Sequence, residues 1–163
     1  MRPVRIQVDN SVRYNVHLVV LENESYLEIK DRFKKTMNIV PVARKKIPVK
    51  VHFYKSQWLY RKWSGCGYGH VNIELPDGNL LNYDLKEEEC GLIGNGFWYL
   101  TPDKTVDAFV TTEDLQKAIK MTRKPLCLWS IFSRNCFTIV ATALGGSKKE
   151  DVTKLLRTQN ENL

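Results

Sequence analysis

The chain predicts an α+β fold: an antiparallel β-sheet packed against a helix that bears a cysteine at its start, preceded by a strand–strand–helix extension. Two observations carry this. His70-Val71-Asn72-Ile73-Glu74-Leu75 and Asn79-Leu80-Leu81-Asn82-Tyr83-Asp84-Leu85 alternate on both sides of Pro76-Asp77-Gly78, a strong hairpin signal. Further on, Phe137, Val140, Ala141 and Leu144 recur at i, i+3, i+4 and i+7 as one apolar helical stripe. Ser133 and Asn135 are N-cap residue types just before that stripe, and Gly145-Gly146 is a stop just after it. The length of 163 residues, with 43% hydrophobic and 26% charged, suits one soluble core with a small appendage.

Taken in order, Arg5–Asp9 and Tyr14–Leu21 alternate as two strands joined at Asp9-Asn10-Ser11. Glu22-Asn23-Glu24-Ser25 opens a helix whose apolar face is Tyr26, Ile29, Phe33 and Met37, closed by Asn38 and Pro41. Arg44-Lys45-Lys46-Ile47-Pro48 combines a charge cluster with a proline and marks a boundary. It divides a basic extension, 1–46, from a main domain, 47–163. Val49–Tyr54 then alternates as a strand, and Trp58, Tyr60 and Trp63 lead into the glycine-dense loop Ser64–Gly69. That loop lacks the Lys-Ser/Thr ending of a phosphate-cradling loop.

The hairpin follows, and then Lys86–Glu89 as a solvated turn. Gly96–Leu100 and Val106–Val110 read as two further strands. Thr111 or Thr112 caps a helix running through Met121 and ended by Pro125, and Glu150–Arg157 forms a short amphipathic end. The sequence has no internal repeat and no low-complexity tract.

Several function classes drop out. No apolar run approaches the roughly 18 residues of a membrane span, and the N-terminus lacks the apolar stretch of a secretory signal. Cys66, Cys90, Cys127 and Cys136 have no CxxC spacing, which argues against a zinc ribbon. They are expected as free thiols in a reducing, cytoplasmic setting. Residues 1–50 carry eleven Lys/Arg against five Asp/Glu, so nearly all of the net +7 lies there. That third can face an acidic protein or nucleic acid.

Cys136 falls in the first helical turn, where free N–H groups and the helix dipole favour a thiolate and can also stabilise an oxyanion. A nucleophilic thiol needs a base, and the base needs a partner that holds its tautomer. His17 and His52 sit inside strand patterns. His70 begins a strand directly after the glycine loop, with a polar strand face around it. A three-residue loop pairs Asn72 with Asn82 and His70 with Asp84, so all four share one face. Both Asn82 and Asp84 are therefore available as the orienter. Cys66, four residues before His70, is the rival thiol.

These residues resemble a known group. The order of a His-bearing strand, a turn, a polar residue on the next strand and then aromatic-x-x-x-x-x-Asn-Cys opening a helix is similar to the circularly permuted papain-like cysteine hydrolases. That group includes permuted NlpC-type peptidases, lecithin:retinol acyltransferase-like proteins and PPPDE peptidases. The matching stretches are Gly69–Asn82 and Trp129–Phe137, and the likeness spans about residues 49–146. It implies Cys136 as nucleophile, His70 as base and Asn82, twelve positions after His70, as orienter; the strand register keeps Asp84 as the alternative. Phe137-Thr138 stands where the acyltransferase-like members have Glu-His, a departure from the lipid-acyltransferase branch.

The activity implied is hydrolysis of an amide, in a peptide or isopeptide, without metal or organic cofactor. Trp129, Tyr68 and Trp63 are the expected substrate contacts, and a peptide or protein is the expected substrate. The alternatives are a non-catalytic binding module of the same fold, gripping nucleic acid or an acidic protein through residues 1–46, and a thiol acyltransferase.

Overall fold

The computed structural model describes residues 4–10, 14–20, 25–33, 37–42, 46–55, 68–84, 89–94, 100–122, 135–146 and 152–161. Four strands, β1 (Val4–Asn10), β2 (Tyr14–Val20), β3 (Ser25–Asp31) and β4 (Met37–Val42), form an antiparallel meander in chain order. Five more build a second antiparallel sheet: β5 (Lys46–Tyr54), β6 (His70–Glu74), β7 (Leu80–Asn82), β8 (Gly91–Ile93) and β9 (Lys104–Thr111). Their spatial order is β8-β7-β6-β5-β9. Three helices follow: α1 (Thr112–Thr122), α2 (Cys136–Ala143) and α3 (Val152–Glu161). The class is α+β, as the alternation and helical stripes predict.

Period-two alternation decides which way each strand of the second sheet faces. Ile47, Val49, Val51 and Phe53 of β5, with Val71 and Ile73 of β6, are buried in one apolar cluster. Leu115, Ala118 and Ile119 of α1 and Ile139, Val140 and Ala143 of α2 cover them from the helical side. α2 lies against α1 and β6, and α3 lies against β9. β9 is an edge strand, and α3 blunts it. The Gln159 side-chain amide accepts from the Phe109 N–H (3.0 Å) and donates to the Phe109 carbonyl (2.8 Å), as a neighbouring strand would.

The first sheet shares this core, since Ile6, Leu18 and Val20 are buried within the same cluster. The Gln7 N–H also donates to Asp77 Oδ2 in the β6–β7 loop (3.2 Å).

Here the N-terminal expectation needs correction: the extension is not strand–strand–helix. Residues 25–31 and 37–42 are strands, with Leu18 opposite Leu27 and Leu27 opposite Val40. Of the helical face read from spacing, Phe33 is 71% and Met37 55% exposed. An isolated helix of this length is marginal in water. β3 instead satisfies its backbone on both sides, against β2 and β4. Asp31 Oδ1 also accepts from the Phe33 N–H (2.9 Å), an Asx turn that bends the chain where the helix would have run.

Strand β8 was not expected; only three residues long, it starts at Gly91, whose φ is +97°. Residues 96–99 of the predicted strand Gly96–Leu100 lie outside the described residues, as does Pro125. Among the described residues no helix is long and apolar enough to cross a membrane.

Candidate active site

The hairpin forms with the three-residue loop that its residues predict. The Gly78 N–H donates to the Leu75 carbonyl (2.9 Å) and the Leu75 N–H to the Asn79 carbonyl (2.8 Å). Gly78 takes φ +85°, the left-handed conformation glycine enters freely. Asp77 Oδ1 accepts from the Asn79 N–H (3.0 Å). The register that follows sets Ile73 opposite Leu81 and Glu74 opposite Leu80. Alternation then puts Asn72 and Asn82 on the face opposite Ile73 and Leu81, with His70 as the first residue of β6, next to Val71. All three are essentially inaccessible, at 0–1% exposure.

Buried polar groups must be satisfied internally, and these are. His70 Nε2 lies 2.8 Å from Asn82 Oδ1, and Asn72 Nδ2 donates to the same oxygen at 3.1 Å. Asn82 Nδ2 donates to the Glu89 carbonyl at 2.6 Å. Tyr54, opposite His70 on β5, donates its hydroxyl to Asn72 Oδ1 (3.0 Å), and its ring lies 5.6 Å from the imidazole, centroid to centroid.

Cys136 opens α2. Its local frame is a capping box: Asn135 Oδ1 accepts from the Phe137 and Thr138 N–H groups (2.9 and 3.1 Å), and Thr138 Oγ1 accepts from the Asn135 N–H (2.8 Å). At the other end Gly146 donates to the Ala141 carbonyl and Gly145, at φ +88°, to that of Thr142, which closes the helix as a Schellman motif. The helix thus starts and stops where its residues predict. The thiol sits against the backbone N–H of Val71, the residue that follows His70.

Both orienter candidates act on His70 in the same direction. Burial lowers the His70 pKa, against the opposing pull of the Asp84 carboxylate and of the Asn82 hydrogen bond. Burial pushes the Cys136 thiol up to about 12; the Val71 N–H favours the thiolate, Asp84 opposes it, and the Phe137 and Cys136 N–H groups favour it. Asp84 thus raises both groups. Asn82 acts on His70 alone.

The helix start does favour a thiolate, but with Cys136 only 5% exposed, desolvation is the larger effect. The resting pair is a neutral thiol and a neutral imidazole.

The sequence matches no protein-family model, no curated protein and no solved structure.

Of the other residues singled out, Tyr68 is half-buried with its ring 5.1 Å from that of Phe53, on the helical side of the sheet. Trp63, Trp129, Cys66 and Cys127 lie outside the described residues. His52 is held at both ring nitrogens, by Thr105 Oγ1 (2.8 Å) and Glu74 Oε1 (3.1 Å). Among the described residues no three His, Cys, Asp or Glu side chains gather as a metal cage. A groove of about 410 Å³ lined by Pro48, Lys50, Glu74 and Phe109 lies at the far end of β6 and shares no residue with the His70 cluster.

Sequence reasoning missed two contributors. Tyr54 could have been found, since alternation puts it on the polar face; the Glu89 carbonyl leaves no trace in side-chain chemistry.

Proposed function

We propose that the chain is a cysteine hydrolase that cleaves an amide, in a peptide or isopeptide, with Cys136 as nucleophile, His70 as base and Asn82 as orienter. One observation carries this reading. His70 Nε2 is engaged by a carboxamide oxygen, which can only accept, so the lone pair lies on Nδ1. The Asn82 amide also lies within the polar network that holds the ring in place.

In the reaction the Cys136 proton passes to His70 Nδ1 as sulfur attacks the carbonyl carbon. The Cys136 N–H, which the Asn135 cap does not take, suits the developing oxyanion. The imidazolium returns its proton to the leaving amine, the C–N bond breaks and a thioester remains. Water, deprotonated by His70, attacks the thioester; the C–S bond breaks and sulfur regains its proton. Because both groups rest neutral, proton transfer accompanies attack and does not precede it.

The test uses p-nitrophenyl acetate, an activated ester that reports a nucleophile whatever the natural substrate. An acetyl adduct on Cys136 that forms and turns over, and is lost in His70→Ala, supports the reading. An adduct elsewhere, or one indifferent to His70→Ala, overturns it.

A specific observation also favours a second reading, a non-catalytic binding module. Cys136 is buried like a structural thiol, and the basic first third offers Lys30 and Arg32 as exposed cations. Salt-dependent retention on nucleic acid, without ester turnover, marks that module.

A further inference from the structure

We propose that Asn72, held by Tyr54, is a positioning residue that fixes the tautomer of His70. Part of this rests on the hydrolase reading, since only there does the tautomer serve a reaction; the tautomer itself does not.

One group in this network has a role beyond choice. The Glu89 carbonyl can only accept, so the Asn82 group 2.6 Å away is its NH₂. That turns Asn82 Oδ1 toward His70 and Asn72. A carboxamide oxygen has two acceptor sites, and here two neighbours lie at 2.8 and 3.1 Å. Both must donate. His70 therefore carries its proton on Nε2, and Asn72 presents Nδ2, which turns Asn72 Oδ1 toward the Tyr54 hydroxyl 3.0 Å away. Reversing Asn72 would set two carbonyl-type oxygens against each other at about the same separation.

Direction thus propagates from a backbone carbonyl through Asn82, and Asn72 locks it from the second side. Asn72 is 0% and Tyr54 1% exposed. Their neighbours Leu80 and Ile93 are apolar, so no bulk solvent compensates a broken link. Asn72 does not hydrogen-bond the imidazole in this network; it acts through Asn82.

The experiment reads the ring itself. Long-range ¹H–¹⁵N correlation of the imidazole nitrogens in the full chain, at a pH where His70 is neutral, reports which nitrogen holds the proton. In the wild type the Nε2–H form should dominate by roughly tenfold or more. Asn72→Asp sets an acceptor against Asn82 Oδ1, which the Glu89 carbonyl still turns toward His70, and should reduce that excess several-fold. Tyr54→Phe keeps the ring and removes only the hydroxyl donor, and should reduce the excess several-fold. If Asn72→Asp does not fold, Tyr54→Phe decides. A folded variant with the wild-type tautomer overturns the proposal.

The two readings fail separately. A tautomer that shifts in a chain with no Cys136 acylation removes the hydrolase and keeps the positioning role. Normal acylation with an unmoved tautomer does the reverse.

Discussion

Burial of Cys136 makes a quantitative claim about its reactivity. Its thiol is pushed from 9.0 up to about 12. At neutral pH the thiolate population is then about a thousandfold below that of an ordinary thiol. Iodoacetamide captures only the thiolate, so the labelling rate at Cys136 should rise about tenfold per pH unit from pH 7 to pH 10 without levelling. Peptide mass spectrometry follows Cys136 separately from Cys90, which is half-buried and serves as internal reference.

The same shift appears in stability. A thiol whose folded pKa is raised contributes stability that is intact below pH 9 and is lost as pH rises toward 12. Wild type should therefore lose up to about 4 kcal/mol relative to Cys136→Ala across that window. A labelling rate that levels off below pH 8 would refute this reasoning. It would mean that a thiolate–imidazolium pair forms at rest and that the helix-start N–H groups outweigh desolvation.

Four further outcomes are expected. His70 has a lowered pKa, so its contribution is present above about pH 6.5 and lost as pH falls; urea titrations should show wild type losing up to about 1.4 kcal/mol per pH unit more than His70→Gln, and parallel curves would contradict it. Asn82→Ala removes the group that meets His70 Nε2, Asn72 Nδ2 and the Glu89 carbonyl, costing about 2–4 kcal/mol in urea unfolding and slowing acetyl-enzyme turnover more than Asp84→Ala does; the opposite order hands the orienting role to Asp84. Asn135→Ala removes the acceptor of two first-turn N–H groups and should destabilise by about 1–2 kcal/mol by the same method. Ile6→Ala, at a fully buried position shared by the two sheets, should cost about 2–5 kcal/mol within a single unfolding transition; separate transitions would show that residues 47–163 fold without the first sheet.

Much of the site was legible because its determinants are local. Pro76-Asp77-Gly78 sets a loop length, the loop sets a register, and the register puts His70, Asn72 and Asn82 on one face. Asn135 and Gly145-Gly146 bound α2 by side-chain and φ preferences that operate within one turn. Tertiary structure decided the rest. Tyr26, Ile29, Phe33 and Met37 fit a helix by spacing alone, and only β2 and β4 on either side make 25–31 a strand.

That Asn82 Oδ1 lies 2.8 Å from His70 Nε2 is likewise a matter of side-chain placement, which neither spacing nor register encodes. The state of Cys136 is the clearest case. Its place at a helix start is written in the residues beside it, and that place favours a thiolate. The desolvation that overrides it comes from the layer of side chains closing over the thiol from distant parts of the chain. Local chemistry can be read along a sequence, whereas dielectric environment belongs to the assembled fold.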